Sequence, residues 1–173
     1  GHSGIQIGYQ RANANRELFR LLNHTACDVR LASVDGGGLR NAIPREAKAT
    51  VMVEAAKWDE FQKAVADFTD MVVAEFSGIE DSILIKAEEV AAPAEMIEKA
   101  VAEKLVKAVV ACPDGMQSMS QSMKGLVQTS TNLARIVSDG STVKLHCLLR
   151  SSVNSEKADL GDAISSVFEL AGA

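Results

Sequence analysis

Between Trp58 and Phe76 the residues Trp58, Phe61, Val65, Phe68, Val72 and Phe76 recur at spacings of three and four. That period puts all six on one side of an α-helix. A helix with one apolar stripe must bury it against another layer, and the flanking sequence says which kind. Upstream, Ala47, Ala49, Val51 and Val53 alternate with Lys48, Thr50, Met52 and Glu54, which predicts a strand with one buried face. Pro44 sits near its start, where a missing N–H does least harm. Downstream, Ile83-Leu84-Ile85 predicts a short strand. The stripe holds four of the seven aromatics. It therefore reads as core and not as a cofactor box.

The rest of the first half fits around this helix. Residues 3–9 alternate weakly, as a short strand would. Asn13 or Asn15 is placed to cap a helix with Leu18, Phe19, Leu21 and Leu22 as its stripe. Cys27, Val29 and Leu31 alternate with Asp28 and Arg30, giving a strand that ends in a turn at Asp35-Gly36-Gly37-Gly38. Residues 1–90 thus read β-α-β-β-α-β, the ferredoxin-like order.

Pro93 opens a second half. Met96, Ile97, Ala100, Val101, Leu105 and Val109 mark a helix that ends before Cys112-Pro113-Asp114-Gly115. Residues 116–125 read as an edge strand plus loop. Residues 128–137 and 142–150 flank Ser138-Asp139-Gly140-Ser141, a hairpin signal. Val143, Leu145, Cys147 and Leu149 share one face of the second strand; Lys144, His146, Leu148 and Arg150 share the other. A last helix starts near 156, with Asn154 or Ser155 as its cap. The fold class expected is α+β, with two ferredoxin-like modules over residues 1–91 and 92–173. Each is an antiparallel sheet with helices on one face, and the second is degenerate. Residues 40–53 followed by a helix echo residues 131–150 followed by a helix, a repeat of element order more than of residues.

Composition bounds the function. With 47 % apolar and 24 % charged residues and a net charge of −5, the 173-residue chain has the balance of a globular domain and no basic face for nucleic acid. No apolar run approaches the roughly 20 residues that cross a bilayer. Three cysteines, Cys27, Cys112 and Cys147, form no CxxC pair, and their odd number fits a reducing compartment. The chain opens on Gly1 and not on methionine, which reads as the interior of a longer polypeptide. The histidines at 2, 24 and 146 show neither HxD nor HxxxH spacing, so no metal site is expected within the chain.

Gly1-His2-Ser3-Gly4, Ala12-Asn13-Ala14-Asn15, the run Gly37 to Ala47 (GGLRNAIPREA), Thr129-Ser130-Thr131-Asn132-Leu133 and His146 to Val153 (HCLLRSSV) occur in that order. Together they resemble the inserted lid domain of aminoacyl-histidine dipeptidases, or cytosolic non-specific dipeptidases. These belong to the dizinc exopeptidases that include carnosinase and aminoacylase. The likeness covers essentially the whole chain, and Arg40 to Ala47 is its most specific stretch.

The resemblance implies a cytoplasmic parent enzyme that hydrolyses dipeptides with zinc bound by a catalytic domain outside this chain. The fragment alone is expected to be inactive. Its partners would be that catalytic domain, the dipeptide and a second copy of the parent, with no nucleic acid or membrane. His2 matches the lid histidine that completes the oxyanion site. Arg150 matches the arginine that binds the substrate's C-terminal carboxylate, and Asn132 is the helper expected to donate its amide to the same group. In single-module relatives the histidine reaches the partner subunit's site and the arginine serves its own. The doubled module would imitate that interface within one chain. His24, near a helix end, reads as structural, and His146 as a satisfied sheet histidine, with lining of the substrate groove the lesser option. Arg40, Asn41 and Arg45 read as structural or interface residues, with substrate contact the lesser option. Two other readings remain open. One is a stand-alone ligand-binding or dimerisation module without catalysis. The other is the lid of a related aminoacylase or carboxypeptidase.

Overall fold

A computed structural model describes residues 1–25 and 28–173. The elements run α1 (Ala14–His24), β1 (Arg30–Gly37), β2 (Ala47–Met52), α2 (Trp58–Glu75), α3 (Lys99–Ala111), β3 (Gly115–Met119), β4 (Val127–Asp139), β5 (Thr142–Ser151) and α4 (Asn154–Ala171). Five antiparallel strands and four helices form the α+β fold that the sequence pattern predicts. Cys27, expected to open β1, lies outside the described residues.

All five strands share one sheet, and β4 is its spine. β5 pairs with β4 from Thr129 to Asp139, occupying one edge of it. The other edge is divided. β3 takes Val127 to Thr131, and β1 takes Arg135 to Val137. β2 then extends the sheet beyond β1. The strands expected of the two halves therefore meet on a single strand and form a continuous sheet.

Between these two pairings, at 132–134, that edge of β4 has no strand beside it. Buried backbone groups must still find partners, and side chains supply them at Leu133. Asp114 accepts the Leu133 N–H at 2.7 Å. Asn13 and Asn15 donate their amides to the Leu133 carbonyl at 3.2 and 3.0 Å. Asn13 also caps α1, accepting from the N–H groups of Asn15 and Arg16. Burial pushes the Asp114 carboxyl above the usual carboxylate range, opposed by the Leu133 N–H, Arg16 and Asn13.

The core has two parts. Phe19, Leu31, Val34, Ala102, Val109, Leu133 and Ile136 lie between the sheet and helices α1 and α3, with Val143, Leu145 and Cys147 packed against them. Leu21, Phe61, Val65, Phe68 and Val72 form the second part, to which Trp58, Phe76, Ile83 and Ile85 add partly buried surface. The α2 stripe is thus core, as its period requires.

Three local expectations are corrected. Residues 3–9 are no strand: the segment folds back, with the Gln6 N–H on the His2 carbonyl and a 3-10 turn at Ile7–Tyr9. Residues 83–85 join no ladder, although Ile83 and Ile85 pack on the core. Alternation reports which side is buried and not whether a neighbouring strand exists. The α4 cap is also different. Val153 holds the cap position without a side-chain bond, and Glu156 in the first turn accepts from Thr129, Ser118 and Gln128.

The glycine triplet is more than a turn. Gly36 and Gly37 belong to β1, and Gly37 has φ +73°. A Cβ on Gly36 would lie 2.0 Å from Asn15 Oδ1, and one on Gly37 would lie 1.9 Å from the Ala134 carbonyl oxygen. Gly37→Ala should therefore cost at least about 2 kcal/mol, strain plus collision. Gly140, at φ +58° with open space around it, should cost only about 1 kcal/mol on the same change. Urea unfolding midpoints of the two variants check the difference.

Candidate functional site

Asn132 follows Thr131 on β4 and is 1 % exposed. Its side chain donates to the carbonyls of Arg40 and Ala42 at 3.0 and 2.8 Å. Both amide protons are thereby spent on the loop after β1. That loop in turn holds the first residues of the chain. The Ser3 N–H donates to the Asn41 carbonyl at 2.9 Å, the Ile43 N–H donates to the Gly1 carbonyl at 2.8 Å, and His2 bridges to Ala42 in antiparallel fashion. One buried amide on β4 therefore fixes the loop, and the loop fixes the segment that carries His2.

His2 is exposed, yet its surroundings are well defined. Its N–H donates to Gln6 Oε1 at 2.9 Å. Its ring Nδ1 accepts the backbone N–H groups of Gly4 at 3.0 Å and Ile5 at 3.2 Å. Arg150 reaches the same place from β5, where it pairs with Ser130 on β4. A Cβ built on Gly4 would lie 3.1 Å from His2 Cε1 and 3.5 Å from Arg150 Cζ. The imidazole and the guanidinium, 148 positions apart in the chain, thus converge beside one glycine.

Next to them lies an open cleft lined by Leu39, Arg40, Asn41, Leu148, Leu149 and Arg150. Arg40, Asn41 and Arg150 are exposed. Among the described residues no carboxylate forms an ion pair with Arg40 or Arg150. This small region is cationic on a chain of net charge −5, so it suits an anion brought from outside.

Arg135 shows the contrast. Its guanidinium is held by Asp35 and by the carbonyls of Gly36 and Gly37 at 3.1 and 3.0 Å. That hydrogen bond keeps the Asp35 carboxyl below its usual range. Arg135 is a structural ion and Arg150 is an unpaired one. His146 stands opposite Arg135 across the β4–β5 ladder. His24 ends α1 with its ring 6.2 Å from Phe68. No group of three His, Cys, Asp or Glu able to hold a metal occurs among the described residues.

Sequence reasoning pairs Arg150 with Asn132, but the cleft residue beside Arg150 is Asn41, whose side chain no secondary-structure pattern singles out. Gly4 and Gln6 also escape notice, because their contribution is a backbone N–H, an absent Cβ and a short-range acceptor. The GHSG motif is the one signal that marks Gly4, and it stops short of Gln6.

Residues 1–79 match the family model described as a peptidase dimerisation domain. The chain is 34 % identical over 175 residues to the cytosol non-specific dipeptidase of Escherichia coli strain K12, covering 100 % of this chain and 36 % of that protein. Among solved structures, aminoacylhistidine dipeptidase from Vibrio alginolyticus aligns with a TM-score of 0.96 at 38 % identity, over 99 % of this chain and 36 % of that one. The chain thus spans little more than a third of the length of these relatives.

Removing the Asn132 amide tests the clamp. Asn132→Ala should cost about 1–3 kcal/mol, because two carbonyls lose their donor. Asn132→Asp should cost more, since it aims an acceptor at two acceptors. Faster amide exchange at Ser3 and Ile43, with exchange in α2 unchanged, is the expected local signature.

Proposed function

Residues 1–79 belong to the peptidase dimerisation-domain family and the whole chain is homologous to part of a dipeptidase, and on that premise we propose that it is the lid of a dipeptide-hydrolysing metalloenzyme. The observation that carries the proposal is the convergence of His2 and Arg150 within 3.5 Å of one point beside Gly4. A dipeptidase needs this pairing. One residue separates the scissile carbonyl from the free carboxylate, a reach of about 3.8 Å. A donor for the first and a cation for the second must therefore stand close together.

In this reading His2 is the catalytic residue of the lid. Its N–H donates to the oxyanion that develops on the scissile carbonyl, a role that is worth roughly 3–4 kcal/mol for single donors of this kind. Arg150 binds the C-terminal carboxylate through its planar fork of N–H groups. That explains selection for a free C-terminus, since an internal peptide bond offers no such anion. Asn41 is the amide best placed to assist Arg150. Asn132, whose donors hold the Arg40 and Ala42 carbonyls, serves the carboxylate site by positioning the loop.

No cluster among the described residues is able to hold a metal, and this reading assigns the zinc to the rest of the parent enzyme, where it would supply a hydroxide nucleophile and a Lewis acid. The parent is a cytoplasmic homodimer, in keeping with the family description and with the name of the Escherichia coli relative. No helix among the described residues is long and apolar enough to cross a membrane. The two halves, divided near residue 91, contribute one functional group each, so a single chain assembles what single-module relatives build across a dimer.

In the intact parent enzyme, His2→Ala should lower kcat by about 10²–10³ with metal content unchanged. Arg150→Ala should mainly raise KM, and should abolish the preference for a free over an amidated C-terminus. Steady-state kinetics with both dipeptide forms decide it. Unaltered constants in both variants would remove the assignment.

A further inference from the structure

We propose that Gly4 and Ile5 are positioning residues for the His2 imidazole. Their backbone N–H groups hold the ring as its Nε2–H tautomer, and the absent Cβ of Gly4 gives the ring and the Arg150 guanidinium room in one cleft. This rests on the lid reading above and says how the lid histidine is made a donor.

The chemistry follows from the hydrogen bonds. A ring nitrogen that accepts a hydrogen bond carries no proton, so the hydrogen of a neutral imidazole is then on the other nitrogen. Nδ1 of His2 accepts from Gly4 at 3.0 Å and from Ile5 at 3.2 Å. Moving the proton to Nδ1 would set it against two N–H groups and forfeit both bonds. Backbone amides do not titrate, so this lock needs no carboxylate partner. Histidines elsewhere are more often oriented by a carboxylate or carbonyl that accepts from the ring. Here the order is reversed, and the ring accepts.

The two donors are themselves held. The Gln6 N–H donates to the His2 carbonyl at 2.8 Å, and the Gln6 side chain accepts the His2 N–H at 2.9 Å. The turn from His2 to Gln6 is therefore closed at both its backbone ends. Ile5 is 78 % exposed, so it contributes its N–H and no packing. At Gly4 a methyl group would stand 3.1 Å from His2 Cε1, 3.2 Å from His2 Nδ1 and 3.5 Å from Arg150 Cζ. The first two contacts are too tight for an unmoved ring.

Long-range proton–nitrogen NMR on the 173-residue chain, labelled at histidine, reads the tautomer directly. A His2→Gln variant assigns the His2 signals against those of His24 and His146. Near neutral pH, His2 should show an unprotonated Nδ1 and a protonated Nε2. In the intact enzyme, Gly4→Ala keeps both N–H groups but adds the crowding methyl. It should lower kcat/KM by roughly tenfold or more. A proton on Nδ1, or two exchanging tautomers, while His2→Ala still slows turnover, overturns the positioning role alone. Full turnover in His2→Ala overturns the reading beneath it, whatever the spectrum shows.

Discussion

The gap in the β4 ladder at residues 132–134 governs the rest of the molecule. β4 exchanges one neighbour for another along a single edge, from β3 to β1. Such an exchange strands backbone groups in the interior, and an unpaired buried amide or carbonyl costs about 1–3 kcal/mol. The chain answers with Asp114 on the Leu133 N–H and with Asn13 and Asn15 on its carbonyl. Those three residues come from the start of α1 and from the turn before β3. The repair of one strand therefore ties both halves of the chain to each other.

The next residue back uses the opposite face of the same strand. Leu133 lies in the core with no exposure, whereas Asn132 reaches the loop at Arg40 and Ala42. The loop then carries the N-terminal segment, and the N-terminal segment carries His2. Arg150 needs no such relay, because it stands on β5 directly across from Ser130. The two candidate groups thus trace back to Ser130 and Asn132 of β4 by routes of unequal length. Arg150 is held by the sheet ladder, whereas His2 is held through a relay of loop hydrogen bonds outside it.

Much of the fold is written in residue periods. The α2 stripe, the alternation in β2 and the Asp139-Gly140 hairpin each predict the element that forms, because each is a local pattern with one physical solution. The residues that fail are those whose partners are distant in the chain. Residues 83–85 alternate as a strand does but meet no neighbour. Residues 3–9 contain Gly4 and Gly8 and fold back on themselves. Gly36 and Gly37 look like a turn, yet they are strand residues against which Asn15 and the Ala134 carbonyl press. In the site, His2 and Arg150 are legible through the resemblance their motifs bear to dipeptidase lids. Asn132 is legible as important but not in its task, since a sequence does not say where an amide spends its two protons.

The cleft brings two arginines without a carboxylate partner among the described residues, Arg40 and Arg150, to one place on an acidic chain. Three guanidiniums elsewhere are bound by carboxylates: Arg20 by Glu17 and Glu75, Arg11 by Glu80 and Arg135 by Asp35. Arg40 and Arg150 have no such carboxylate although the chain carries 23 acidic residues against 18 basic ones. An internal ion pair at Arg150 would stabilise the fold by at most about 1 kcal/mol at an exposed site. On the proposed reading it would also have to be broken before a carboxylate ligand could enter. Leaving the guanidinium solvated forgoes that small gain and keeps the fork open. The same logic applies at His2, where main-chain donors occupy Nδ1 and no acid occupies Nε2. Both groups are held by backbone or strand position and not by a charged neighbour, so on the reading proposed above neither would have to release a competitor before Arg150 met a carboxylate or His2 a developing oxyanion.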